Sequence, residues 1–213
     1  MSKIVVLYQS NYGAVSTYAE WLGGMLGAEL HDISQSAGIN TRTAEVVICC
    51  GSIHHGRLSC LSWMRRHAHR LAGLNVMLLA VGALPYTDER VMRWRQAFST
   101  GRLRGAPLAY ARGIWNPAVL NRFDMLRLRI YRFFITNKPE QRRSTDEQLF
   151  LSLGDEPQNW CDKHYLLPVI EFCNQVLPRE KIRWAACLPI RSNETVIQII
   201  VIFTNFATIM IPL

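Results

Sequence analysis

Three short stretches of the chain hold residues whose types and spacing suit ligand chemistry. The first is Gln9-Ser10-Asn11-Tyr12-Gly13-Ala14-Val15-Ser16-Thr17. A phosphate needs converging backbone N–H donors, a glycine where the chain bends too sharply for a Cβ, hydroxyls, and a helix N-terminus whose dipole favours negative charge. Ser10, Asn11, Tyr12, Gly13, Ala14, Val15 and Ser16 together offer all four. The same residues also suit a ligand-free turn, since Ser10 and Ser16 are ordinary helix caps. In the second stretch, Gly51-Ser52-Ile53-His54-His55-Gly56-Arg57, two glycines bracket a turn whose backbone can approach the edge of a flat ring. His54 and His55 have the chemistry of metal ligands, but no further His or Cys falls at ligand spacing nearby. Adjacent histidines in a turn usually point apart, so ring contact or solvent exposure is expected and no metal. The third stretch is Gly82-Ala83-Leu84-Pro85-Tyr86-Thr87. Leu84 and Tyr86 suit contact with a flat ring, and Tyr86 equally suits a surface aromatic.

These stretches need elements to hold them. Lys3 to Tyr8 is an apolar, β-branched run that predicts a strand, and Tyr18, Trp21, Leu22 and Met25 predict a helix from Ser16 to Leu26, stopped by Gly27. Further strands are expected at Glu29 to Ile33, Val46 to Cys50, Val76 to Val81 and Leu108 to Ile114. Helices are expected at Ser59 to Leu71, Val91 to Phe98 and Pro157 to Leu177. Strands alternating with helices imply right-handed crossovers and a parallel sheet, and ligands of such sheets bind beyond the carboxyl ends of the strands where the winding reverses. All three stretches follow predicted strands, the first, third and fourth.

The chain has 213 residues, enough for one sizeable core, with 49% hydrophobic and 19% charged residues. That excludes a disordered or fibrous protein. Its apolar start is too short for a signal-peptide core, so a cytoplasmic N-terminus is expected. Cys49, Cys50, Cys60, Cys161, Cys173 and Cys187 form no C-x-x-C pair and sit mostly in apolar runs, so buried thiols are expected. The net charge of +8 is concentrated between Arg93 and Arg143. Such a field attracts phosphate, carboxylate or an anionic membrane surface. Nucleic acid ranks lower, because no helix-turn-helix, zinc-finger spacing or RNA-binding aromatic motif accompanies the charge.

The segments Lys3 to Leu22 and Val46 to Arg57 resemble the opening and the second loop of the flavodoxin-domain family that includes the menaquinone-dependent protoporphyrinogen oxidases. Phe123-Asp-Met-Leu-Arg-Leu-Arg-Ile-Tyr-Arg-Phe-Phe134 resembles the basic amphipathic insertion of those oxidases. The resemblance covers roughly Met1 to Leu177. It implies a flavodoxin-like, doubly wound, parallel five-stranded α/β sheet of order 2-1-3-4-5 over residues 1–177, with a basic helical insertion at about 117–138. It also implies FMN, its phosphate on Ser10 to Ser16 and its ring between Ser52, Ile53, His54, His55 and Gly56 on one side and Leu84 and Tyr86 on the other. The family's phosphate signature T-x-T-G-x-T puts hydroxyls where this chain has Ser10, Tyr12 and Val15, and only Ser10 keeps a small one. Losing one hydrogen bond to a charged acceptor costs about 1–3 kcal/mol, so weakened FMN binding is expected.

An FMN-dependent oxidoreductase acting on a hydrophobic, anionic substrate such as protoporphyrinogen, with a quinone as acceptor, is the functional expectation. No acid or base residue is named, because the redox chemistry belongs to the flavin. The alternatives are a flavodoxin-type electron carrier and a flavodoxin-fold module without FMN. Phe123, Leu126, Ile130, Phe133 and Phe134 share a helical face flanked by arginines, the composition of a helix lying in a membrane surface; an ordinary covering helix has the same pattern. Residues 178–213 form a basic, then apolar extension. Its last part, Val196 to Leu213, suits either a peripheral anchor on the inner face of the membrane or a strand pair packed on the domain.

Overall fold

A computed structural model describes residues 4–35, 39, 41, 43–54, 56–98 and 101–177. The expected tail, residues 178–213, lies outside these, as does His55. Five strands form one parallel sheet: β1 (Ile4–Gln9), β2 (Glu29–Asp32), β3 (Val46–His54), β5 (Asn75–Gly82) and β6 (Leu108–Arg112), in the order β2-β1-β3-β5-β6. A two-residue strand, β4 (Arg57–Leu58), turns back antiparallel on β3. The expected five-strand order is therefore present, with β4 intervening only in the count.

The strands read as continuous apolar runs because both faces are covered. Side chains alternate across the sheet. Val5, Leu7, Val47, Cys49, Leu78 and Ala80 face one layer, with α2 (Leu61–Arg66), α3 (Ala68–Leu71) and α4 (Asp88–Phe98). Ile4, Val6, Val46, Ile48, Cys50, Leu79 and Val81 face the other, with α1 (Ala14–Leu26) and α7 (Leu167–Val176). Cys49, Cys50, Cys60 and Cys173 are buried thiols in these layers.

The strand expected over Leu108 to Ile114 ends at Arg112, Ile114 belonging to the separate β7 (Ile114–Trp115), and two expected helices are divided as well. The helix over Ser59 to Leu71 breaks at His67, whose backbone N–H and ring Nδ1 both approach the Trp63 carbonyl, at 3.0 and 2.9 Å, while its ring stacks on the Trp63 indole. The helix expected over Pro157 to Leu177 begins only at Leu167. Upstream, Gln158–Asn159 form β8, pairing antiparallel with β7 (Ile114–Trp115). Asn159 and Asp162 then accept the Cys161 and His164 N–H groups, turns that compete with helix.

Between β7 and β8 the chain leaves the sheet and forms α5 (Arg122–Asn137) and α6 (Thr145–Ser152). Tyr131 and Trp115 pack edge-on against Phe150. Lys138 pairs with Glu147, and the Arg143 guanidinium donates to the Ile135, Thr136 and Lys138 carbonyls at the end of α5. Of α5, only Leu128 and Ile135 are buried.

Candidate functional site

The first loop closes on itself. Gly13 caps α1 with φ at 90°, a conformation that L side chains rarely adopt, and a Cβ there would meet nothing within 4 Å. The glycine is thus demanded by backbone handedness, and the space beside it is open. The Gly13 carbonyl accepts the Thr17 N–H, the Ser16 hydroxyl and the Thr17 hydroxyl, at 3.0, 2.7 and 3.2 Å. Ser10 Oγ accepts the Ser16 N–H at 3.2 Å. The N–H groups of Ala14 and Val15, in the first helical turn, have no intrahelical acceptor. Asn11 is exposed at the tip. The Val15 side chain packs into the core beside Tyr18 and Leu22, so its backbone, not its side chain, faces the loop.

Tyr12 reaches away from the loop to the start of α5. Its hydroxyl donates to Asp124 and accepts from Asn121 Nδ2 at 3.1 Å, while Asn121 Oδ1 caps α5 by accepting the Asp124 N–H at 2.8 Å. The Tyr12 hydroxyl holds the Asp124 carboxyl below its ordinary range, helped by the charge of His54. Burial, then the bond to Asp124, raises the Tyr12 phenol. The Tyr12 and His54 rings meet edge-on, centroids 5.8 Å apart. Asn121 and Asp124 were not among the expected site residues. Their only sequence signal is a cap pattern before an amphipathic helix, more than a hundred residues from Tyr12.

The second loop is a hairpin. β3 runs on through Ser52, Ile53 and His54, and pairs Ile53 with Leu58 and His54 with Arg57 across a turn containing Gly56. A Cβ on Gly51 would stand 2.8 Å from Cys60 Sγ, so this glycine serves internal packing. Ser59 Oγ accepts the Ser52 N–H at 3.1 Å and donates to the Gln9 carbonyl at 3.3 Å, binding the hairpin to the end of β1. Ser52 Oγ is buried with no hydrogen-bond partner among the described residues. No group of three or more metal-ligating side chains is assembled among the described residues.

Around the third loop, backbone carbonyls are held from beneath. Arg112 Nε donates to Ala83 O at 3.0 Å, the Tyr110 hydroxyl to Leu84 O, and Arg90 Nη1 to Pro85 O. Arg90, 1% exposed, pairs with Asp146 of α6. Leu84 is half-buried. Tyr86 is half-buried against Tyr110 and donates to Asp88 at 2.7 Å, and burial raises its phenol. Arg90, Tyr110 and Arg112 carry no motif; their role comes from positions the sheet brings together.

The three loops leave the carboxyl ends of β1, β3 and β5, consecutive strands of the sheet. From β1 the chain winds to β2 on one side and then to β3 on the other, so the first two loops flank the reversal. An open glycine cradle with helix N–H donors, beside a buried and unpaired Ser52 hydroxyl, fits a phosphate-bearing cofactor with a flat ring. The fold is thus a doubly wound α/β sheet with the three loops gathered at its strand ends.

The chain belongs to the flavodoxin-domain family, whose profile, described as Flavodoxin domain, matches residues 5–130. No curated protein matches significantly. Among solved structures, the chain is similar to a protein from Bacteroides eggerthii assigned as a flavoprotein, at 18% identity and TM-score 0.38, over 65% of this chain and 100% of that one. It is also similar to an archaeal flavodoxin, at 10% identity and TM-score 0.38, over 58% and 89% of the two chains. A flavodiiron protein from Giardia intestinalis is similar at 12% identity and TM-score 0.36, over 84% of this chain and 38% of its own.

Proposed function

We propose that the chain binds FMN and transfers electrons from a hydrophobic, anionic substrate, of which a porphyrinogen is the class suggested by sequence resemblance, to a quinone. The observation carrying this reading is the juxtaposition of the Gly13 cradle with the Ser52 to Gly56 hairpin at the winding reversal of a flavodoxin-family sheet. Ala14 and Val15 N–H groups and Ser10 would hold the phosphate. Ser52, Ile53, His54 and Gly56 would border one edge of the ring, and Leu84 and Tyr86 the other. Bound FMN supplies the redox chemistry at its ring. The chain's own work is positioning: Arg112, Tyr110 and Arg90 fix the Ala83, Leu84 and Pro85 carbonyls, and Ser59 keeps the hairpin against β1.

Substrate recognition would draw on arginine, which meets carboxylates bidentately. Part of the positive charge is already engaged: Arg93, Arg127, Arg132 and Lys138 pair with carboxylates, and Arg112 lies over the Trp160 ring. An electron carrier is less well supported, since carriers of this family are typically acidic to dock basic partners. One observation favours a module without flavin: the Ser16 and Thr17 hydroxyls are both turned to the Gly13 carbonyl.

Titration of the apoprotein with FMN, followed by flavin fluorescence, tests the reading. Saturable one-to-one quenching supports it. Absence of quenching at high micromolar protein would sink it and leave the flavin-free module. Quinone-dependent oxidation of a porphyrinogen by the FMN-loaded protein then separates the enzyme from the carrier.

A further inference from the structure

The outward face of α5 is unpartnered and strongly apolar. Phe123, Phe133 and Phe134 are 78, 66 and 68% exposed, and Leu126 and Ile130 are 56 and 46% exposed. At 3.6 residues per turn these five fall within an arc of about 100°. Leu128 and Ile135 occupy the opposite side and supply the helix's buried contacts. An ordinary covering helix turns its apolar stripe inward; this one turns the larger stripe outward.

Charge borders that stripe. Arg122 and Arg129 lie along one edge, exposed and with no carboxylate partner among the described residues, while Arg127 lies along the other, 3.7 Å from Asp124. An apolar arc of large side chains edged by the exposed Arg122 and Arg129 guanidinium groups complements the headgroups and outer acyl region of an anionic bilayer. No helix among the described residues is long and apolar enough to cross a membrane, so α5 can only lie along such a surface.

We infer that the outward face of α5 is a docking surface for an anionic lipid bilayer, with Phe123, Leu126, Ile130, Phe133 and Phe134 inserted and Arg122 and Arg129 at the headgroups. The helix is attached to the first loop at one end, because the Tyr12 hydroxyl bonds Asp124, next to Phe123. Docking therefore brings the lipid surface to the Ser10 to Ser16 side of the candidate site, where a reactant dissolved in the bilayer has a short path. The inference does not depend on FMN.

Hydroxyl-radical footprinting of the full chain, read by mass spectrometry, reports each α5 residue separately and so excludes binding through the tail. With vesicles of phosphatidylglycerol and phosphatidylcholine, oxidation of Phe123, Phe133 and Phe134 falls at least severalfold, while that of Trp115 is unchanged. Arg122→Glu together with Arg129→Glu, both at exposed positions without a carboxylate partner among the described residues, abolishes the protection without altering the circular dichroism spectrum. Three results overturn the inference: unchanged oxidation while the protein sediments with vesicles, equal protection by pure phosphatidylcholine, and protection without vesicles that grows with protein concentration. The last assigns the face to a second copy of the chain. FMN quenching is measured separately, so its failure removes the proposed redox function and leaves the footprint standing.

Discussion

Single atoms separate a phosphate loop from an ordinary turn. Gly13 is required by its φ of 90°, yet its missing Cβ borders open space. Gly13→Val is expected to abolish FMN quenching, both by filling the cradle and by straining the cap, a backbone cost of about 1–3 kcal/mol. Circular dichroism separates lost binding from lost fold. The Tyr12 hydroxyl supports a different prediction. Because it holds the Asp124 carboxyl below the ordinary 3.8, its stabilisation is complete above that pH and lost as pH falls through the folded value. Tyr12→Phe should lower stability by about 1 kcal/mol at neutral pH, with the difference from wild type shrinking in acid. Thermal unfolding across pH 2.5–7, a range of roughly that width around the carboxylate values, checks it; a constant difference contradicts the assignment. The thiols give a third test. Burial pushes the Cys60 and Cys173 thiols up to about 12, and it also raises the Cys49 and Cys50 thiols well above their ordinary range. All four should be inert to a thiol reagent until the protein unfolds, whereas half-buried Cys161 should react first among these five.

At the scale of elements, the sheet supplies rigidity and the segment between β7 and β8 supplies what is peculiar to this chain. α6 is joined to the third loop through Arg90, which is almost wholly buried and bonds both Asp146 and the Pro85 carbonyl. Removing one partner of a buried pair leaves an uncompensated charge. Asp146→Ala is therefore expected to cost about 3 kcal/mol and to loosen the 83–86 turn. Urea unfolding measures the first effect, and a weaker FMN affinity in the same variant measures the second. The equivalent change at exposed Glu89, paired with Arg93 on the surface, should cost under about 1 kcal/mol.

Over the whole molecule, one linkage joins the candidate site to the docking face: β1, the first loop, Tyr12, Asp124 and α5. Removing residues 192–213 is expected to leave FMN quenching unchanged, because every expected site residue lies upstream. If the tail is an anchor, the shortened chain moves from the pellet to the supernatant after centrifugation. If the full chain is already soluble and monomeric without detergent, the tail packs on the domain instead.

The amino-acid pattern was sufficient for β1, β5 and the apolar part of β3, because strands buried on both faces must be continuously apolar; the turn expected over Gly51 to Arg57 is instead the end of β3 and its return through β4. Family membership adds to that and does not alter it. The stop at Gly27 was legible because a left-handed cap favours glycine, whereas the helix starts at Ala14 behind Gly13 and not at the expected Ser16. Tertiary structure alone decided the rest. A helical period announces an apolar stripe on α5 without saying whether it is covered, and the answer depended on Leu128 and Ile135 filling the inward contacts. The break at His67 and the late start of α7 arise from side chains and strands that compete for backbone groups, a competition no local propensity records. Gly51 looked like a glycine for a ligand and proved to be one for the Cys60 sulfur. The bond from Tyr12 to Asp124 joins residues more than a hundred positions apart, and only the folded chain brings them within reach.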